Sequence, residues 1–249
     1  FLGSLARAKI VVAFGQSQAS LVDCGDLLPL VLEILLFAEA EKRAYADQLK
    51  AGATLQSLWA AQPDHPGLAH YIIHTYDVPS LAGKALIAAR RYSDIAPDAP
   101  HALHMPSHIF TRLGMWDESI AANRASAEAS RAYAAMRHRD ATEAEELHAL
   151  DYMAYSYLQE AQDAEAKKIV DIAAKVKKTN PELEFSAAYA LAAIPTRYAF
   201  ERNDWAAAAN LSIPNLPHWS SFPFMEALIE YGHALGRAHT GDLDGALEA

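Results

Sequence analysis

A pair of histidines recurs at the spacing of a stacked helical repeat, and this constrains the fold more than any other feature of the chain. His70 and His74 are followed 34 residues later by His104 and His108. Residues four apart share one face of an α-helix. A period of about 34 residues is that of a helical hairpin that cannot bury its apolar side alone and stacks on the next hairpin. Equivalent helices of neighbouring hairpins then lie side by side, and the two pairs form adjacent rows on one wall.

The punctuation of the chain supports this period. Pro63 and Pro66 end a helix expected over 45–61, and a first hairpin follows with helices over 67–77 and 81–95, turning at 77–80. The second hairpin has helices over 101–113 and 116–137. In RLGMWDESI (112–120) Gly114 makes a tight turn that a side chain would hinder, Trp116 packs, and Ser119 stands where the helices cross. A charged insertion, RHRDATEAEE (137–146), follows, and within it Thr142 and Glu145 have the spacing of a capping box, which predicts a helix start. The turn LQEAQDAEA (158–166) aligns Ala161 with Gly114 and Ala166 with Ser119. A fourth unit over 183–211 turns at RNDWAAAA, with Pro195 predicting a kink in its first helix. A last unit over 224–249 turns at TGDLDGALEA. Gly114, Ala161, Asn203 and Gly241 thus form one series of equivalent turns.

The expected fold is all-α, an α-solenoid of tetratricopeptide-like hairpins over 27–249, preceded by a lead-in segment, 1–26, of undetermined fold. Alanine and leucine dominate, and a hydrophobic content of 52% is enough for a continuous core. LLPLVLEILLFAEAE (27–41) reads as a buried helix, because Glu33 and its acidic end interrupt it. No run reaches the ~18 apolar residues of a membrane span. The chain begins at Phe1 and stops inside a helix-like stretch, so it reads as part of a longer polypeptide.

Composition excludes several functions. A net charge of −10 and no basic stripe argue against a nucleic-acid partner. The one cysteine, Cys24, allows neither an internal disulfide nor a thiolate zinc cage. There is no Gly-rich phosphate loop, no G-x-S-x-G elbow and no H-E-x-x-H.

Alignment on the turns makes first-helix positions comparable. Offsets 0, +3 and +7 are His101, His104 and His108 in the second hairpin. The same offsets are Gly67, His70 and His74 in the first, His148, Asp151 and Tyr155 in the third, and Ala190, Ala193 and Arg197 in the fourth. At ~100° per residue these offsets fall within a ~60° arc of one face, here expected to line a concave groove outside the core. Imidazoles on facing helices suit a transition metal, copper or zinc first and iron next. His70, His74, His104 and His108 are the first-choice ligands, joined by His101, His148 and Asp151, with Tyr155 a further oxygen donor. Tyr155, Arg197 and Arg112 are candidates for contact with a small or peptide substrate. The competing expectation is a scaffold whose neutral imidazoles hydrogen-bond a peptide, a protein or an anionic small molecule. His65, His138, His218, His233 and His239 fall outside the stripe, and Tyr71, Tyr76, Phe110, Trp116 and Trp205 read as packing residues.

Several strings carry a resemblance beyond the generic repeat: QPDHPGLAHYIIHTYD (62–77), APHALHMPSHIFTRLGMWDESI (99–120), HALDYMAYSYLQ (148–159) and YALAAIPTRYAFERNDW (189–205). In these the chain resembles a family of bacterial tetratricopeptide-repeat proteins of unassigned function. The resemblance runs from about Tyr45 to Ala249 and implies a helical-repeat fold. It also implies a longer N-terminus and an export signal, hence a periplasmic or exported protein, with a cytoplasmic one still open. It brings no activity and no catalytic residue.

Overall fold

Proline opens four of the helices, because its fixed φ suits a first turn whose N–H groups have no helical partner anyway. Pro66, Pro100, Pro106 and Pro223 all stand at such a start. The computed structural model describes residues 10–12, 20–22 and 45–249. The chain divides into two compact units, 1–53 and 54–249. In the first unit, β1 (Ile10–Val12) pairs antiparallel with β2 (Ser20–Val22). The apolar stretch 27–41 and the expected domain start at Leu27 lie outside the described residues.

Among the described residues the chain is predominantly helical, and no sheet has more than two strands. Helix α1 (Ala46–Ala61) occupies its expected place. The first hairpin is α2 (Pro66–Thr75) and α3 (Leu86–Ile95). In the second hairpin the single helix expected over 101–113 is two helices, α4 (Pro100–His104) and α5 (Pro106–Arg112), paired with α6 (Trp116–Met136). Pro106 causes the division, since it has no N–H to give the carbonyl four residues back. Met105 keeps helical angles at the junction, φ −51° and ψ −37°, so the chain continues in nearly the same direction.

The third hairpin is α7 (Ala144–Gln159) and α8 (Asp163–Ala173). Its start differs from the capping box expected at Thr142. Residues Thr142–Glu143 instead form β3, which pairs parallel with β4 (Thr179–Asn180). The Thr142 N–H donates to the Lys178 carbonyl at 2.9 Å, and Glu143, the residue before α7, makes no side-chain cap. A backbone partner from the far end of the hairpin has displaced the local cap. In the fourth unit α9 (Phe185–Glu201) runs through Pro195 as one helix, and α10 (Trp205–Ala208) is a single turn. The last unit is α11 (Pro223–Thr240) and α12 (Leu243–Glu248). No described helix is long and apolar enough to cross a membrane.

The equivalent turns share an unusual backbone. Gly114, Ala161, Asn203 and Gly241 have φ of +68°, +55°, +54° and +91°. Each reverses the chain in the left-handed region that glycine and asparagine tolerate best. Ser119 and Ala166, aligned from those turns, are both buried to 0% exposure. Small buried residues along α6, Ser119, Ser126, Ala127 and Ser130, let α7 approach closely, and the Ser156 hydroxyl donates to that of Ser119 at 2.9 Å. Leu147, Leu150, Ile194 and Ile229 fill the core between α7, α9 and α11. Each such side chain contributes roughly 1.5–3 kcal/mol by leaving water. Gly236 marks the tightest crossing: a Cβ there would stand 2.2 Å from the Ala209 nitrogen.

Candidate metal centre

The first helices of three successive hairpins bring six histidines into one row. They gather into two groups, His70–His74–His101 and His104–His108–His148, and within each group one ligating atom per residue lies within 4.8 Å of the others. The two groups are repeat-related. Each takes offsets +3 and +7 from one hairpin and offset 0 from the next. Ring-centroid distances follow the same rule. The pair within a helix row is 4.6 Å apart for His70–His74 and 4.9 Å for His104–His108. The cross-hairpin contact is 5.2 Å for His70–His101 and 4.3 Å for His104–His148.

This grouping differs from the four-nitrogen set of His70, His74, His104 and His108 expected from the sequence. The physical reason is the stagger of the hairpins. Neighbouring hairpins are shifted by about a turn, which sets offset 0 of one beside offset +3 of the other, His101 beside His70 and His148 beside His104. His74 and His108 remain neighbours, 5.9 Å between ring centroids, and link the two groups.

We call His104, His108 and His148 the inner triad. His104 was expected in an open groove but is 0% exposed. Its Nδ1 lies 2.6 Å from Asn123 Oδ1. The Asn123 amide nitrogen is occupied in donating to the Ser119 carbonyl at 2.8 Å, so Oδ1 is the atom facing His104. His104 Nδ1 therefore carries the proton, and its Nε2 presents a lone pair. His108 Nδ1 lies 2.9 Å from Asp77 Oδ2, with Arg112 Nε donating to Asp77 Oδ1 at 2.8 Å. A carboxylate on Nδ1 leaves Nε2 of His108 as a lone pair too. These two Nε2 atoms face each other at 3.0 Å. Two ligands held ~2.0–2.1 Å from a tetrahedral zinc would stand roughly 3.3 Å apart, close to this separation.

Electrostatics keep His104 and His148 neutral. Burial, then the neighbouring His148 and His108, holds His104 well below the usual histidine range. Burial followed by His108 lowers His148 to about 4. Asp77 stays below the ordinary carboxylate range: its burial opposes ionisation, but the bonds from His108 and Arg112 outweigh it. Tyr152 closes the inner triad, its hydroxyl 3.3 Å from His108 Nδ1 and its ring 4.9 Å from that of His104. Burial, with Asp77 and Asp151 nearby, raises the Tyr152 hydroxyl, which keeps its proton.

The outer triad, His70, His74 and His101, faces solvent more openly. His101 Nδ1 lies 3.3 Å from Glu145 Oε2, and this hydrogen bond raises the His101 pKa against its partial burial. His70 Nδ1 is 3.5 Å from the Tyr92 hydroxyl. Burial, then the charges of His74 and His101, lowers His70 to about 4.

The other expected site residues collect in a third place along the same row. Asp151 joins neither triad: it is 4% exposed and accepts from Arg197 at 2.5 Å. Its carboxylate outweighs the cost of burying Arg197 and raises the guanidinium further. Tyr155, expected as an oxygen donor, packs edge-on against Trp116 at 5.5 Å and under Arg197 at 5.3 Å. The tyrosine beside the histidines is Tyr152, one turn along α7 from His148, whereas Tyr155 is two turns away. Arg112, Asp151, Tyr152, Tyr155 and Arg197 line a cavity of about 270 Å³ together with Thr111 and Tyr189. Tyr152 is shared between this cavity and the inner triad.

Sequence reasoning missed Asp77, Asn123, Glu145 and Tyr152. Asp77 and Tyr152 carried a signal, lying three and four residues from His74 and His148. Asn123 and Glu145 carried none, because each reaches a histidine from another helix. Outside the row, His233 bonds Glu230 and the Leu211 carbonyl, at 2.9 and 2.7 Å, and His239 stacks on Trp205 at 3.9 Å. Tyr71, read as a packing residue, is 59% exposed. No family model, curated protein or solved structure matches the chain.

Proposed function

We propose that the protein binds a transition metal at His104, His108 and His148, and that it does so on the inner wall of a tetratricopeptide-type solenoid. The solenoid reading draws support from antiparallel hairpins joined by four left-handed turns at Gly114, Ala161, Asn203 and Gly241. The metal reading rests on one observation: the Nε2 atoms of His104 and His108 face each other at 3.0 Å with both Nδ1 atoms committed to acceptors. Two lone pairs at that distance repel unless a cation or a proton lies between them. Burial disfavours a proton on His104. A divalent ion of the imidazole-binding class, copper or zinc before iron, removes the repulsion with donors already oriented.

Three histidines leave an open coordination position, the arrangement in which a metal activates water or polarises a bound group. The cavity beside Tyr152 gives a small molecule or a peptide end a place next to that position. Arg197 and Arg112 supply cationic edges there, and Tyr155 a flat face. The competing reading is a scaffold that holds a peptide by hydrogen bonds. It is favoured by the same cavity, whose lining is largely polar.

Differential melting with and without chelator separates the two. Protein purified without chelator and supplied with zinc or copper should melt higher than the same protein in chelator, because a ligand of the folded state alone adds stability. Equal melting temperatures under both conditions would remove the metal reading and leave the scaffold.

A further inference from the structure

We infer that the row holds two metal ions side by side, the outer triad His70–His74–His101 being a second site equivalent to the inner one. This inference rests on the metal reading above. It goes beyond it in assigning a second ion, of copper or zinc, to imidazoles of a different hairpin.

The repeat carries the argument. The inner triad is offsets +3 and +7 of the second hairpin with offset 0 of the third. The outer triad is offsets +3 and +7 of the first hairpin with offset 0 of the second. Both satisfy the same 4.8 Å limit on their ligating atoms. In both, the +3 histidine has its Nδ1 next to a polar group of its own hairpin's second helix, Tyr92 at 3.5 Å for His70 and Asn123 at 2.6 Å for His104. In both, one histidine is held by a carboxylate from a neighbouring hairpin, Glu145 for His101 and Asp77 for His108. A carboxylate or carbonyl on the distal nitrogen is the usual support of a metal-bound imidazole, because it fixes the tautomer and raises the basicity of the other nitrogen. With Nδ1 of His101 committed to Glu145, its Nε2 is left for an ion.

The two sites adjoin. His74 and His108 are 5.9 Å apart by ring centroid, and His101 and His104 6.4 Å. Two ions in these triads share no ligand, and their open positions lie along one row of imidazoles. Six neutral donors bring no charge of their own, so the carboxylates Asp77 and Glu145 supply the nearby negative charge for two dications. The third place in the row departs from the pattern. Asp151 and Tyr155 take offsets +3 and +7 there, Ala190 replaces histidine at offset 0, and Arg197 occupies Asp151. The ladder therefore stops at two ions.

Metal content per chain tests this directly. The whole protein is stripped with chelator, loaded with zinc or copper sulfate, passed over a weak chelating resin to remove ions on single surface histidines, and analysed by mass spectrometry. Two ions per chain are expected for the wild type, and one each for His101→Ala and His148→Ala. Copper-loaded wild type should give an electron-spin spectrum broadened by two nearby Cu²⁺ ions, and each single variant the sharper spectrum of an isolated ion. Circular dichroism checks the fold of each variant. Should one fail to fold, calorimetric titration of the wild type decides between one and two sites. One ion per chain in the wild type, kept in His101→Ala and lost in His148→Ala, overturns the second site and leaves the inner one standing. None overturns both.

Discussion

The two triads are built from the same offsets of the same repeat, yet one is enclosed and the other open. His104 is 0% exposed, while His74 and His101 stand at the exposed surface. The difference comes from what each second helix and each following hairpin present. Around the inner triad α6 offers Asn123, which bonds His104 Nδ1, and α7 adds Tyr152, whose hydroxyl lies beside His108 Nδ1. Around the outer triad Tyr92 reaches His70 only at 3.5 Å, and Glu145 meets His101 with half of its own surface in water. A repeat thus fixes where imidazoles stand, while the acceptors that other helices bring to Nδ1 fix which tautomer each adopts.

Removing a ligand should separate the triads most. His104→Ala should lower the inner site's zinc affinity at least ~100-fold. It should also destabilise the metal-free fold by ~1–3 kcal/mol or more, because it opens a buried cavity and leaves Asn123 Oδ1 with only the longer 3.3 Å bond from the Ser107 hydroxyl. His74→Ala should weaken only the outer site and change metal-free stability by less than ~0.5 kcal/mol, as exposed substitutions do. Zinc titration and urea denaturation read both quantities. Equal stability losses would break the distinction between an enclosed and an open triad.

The support of the ligands comes next. Asp77→Ala removes the carboxylate on His108 Nδ1 and frees Arg112, so inner-site affinity should fall ~10–100-fold with the outer site unchanged. A loss at both sites would mean that the triads act as one.

Acidity gives a smaller effect with a definite sign. His148 and His70 titrate at about 4 in the folded protein, against 6.5 for the ordinary side chain. Between those values the unfolded chain binds more protons than the folded one, so stability of the metal-free protein falls as pH drops from about 6.5 towards 4. Above 6.5 these two groups contribute no pH dependence. His148→Gln should flatten the denaturation-versus-pH curve, and His70→Gln should do so separately, one variant for each triad. A curve of unchanged slope in both would show that neither lowered histidine is sensed by folding.

What the sequence disclosed of this site follows from what a period can and cannot encode. The turns at Gly114, Ala161, Asn203 and Gly241 were legible because a left-handed residue must be small or locally bonded, and that leaves a mark at a fixed spacing. The histidine row was legible for the same reason. Its division into two triads was not, because it depends on the shift between neighbouring hairpins, which side-chain packing sets and no single offset records. Nor was the break at Met105–Pro106 taken into account, although Pro106 announces it. The supports Asn123 and Glu145 come from positions 19 and 44 residues from the histidines they hold. Nothing local marks such partners. The capping box at Thr142 failed for a related reason: the partner that won, Lys178, lies at the far end of the hairpin.

The smallest effect sharpens the comparison from the open side. Glu145 holds His101 across an ion-pair distance of 3.2 Å, with side-chain exposures of 44% and 46%. Glu145→Gln keeps an acceptor oxygen for His101 Nδ1–H and removes only the charge. The His101 pKa, raised by its hydrogen bond to an ionised carboxylate and by that charge, should move down towards its ordinary value, measurable by following the ring protons with pH. Zinc affinity of the outer triad should fall by only a few-fold, since exposed pairs are screened by water and salt. At ~1 M salt, where the screening length is ~3 Å, wild type and variant should bind zinc at the outer triad with nearly the same affinity. The inner triad, with Asp77 largely out of water, should keep its support at that salt. If Glu145→Gln weakened the outer site as strongly as Asp77→Ala weakens the inner one, and equally at high salt, exposure would not be what distinguishes the two triads.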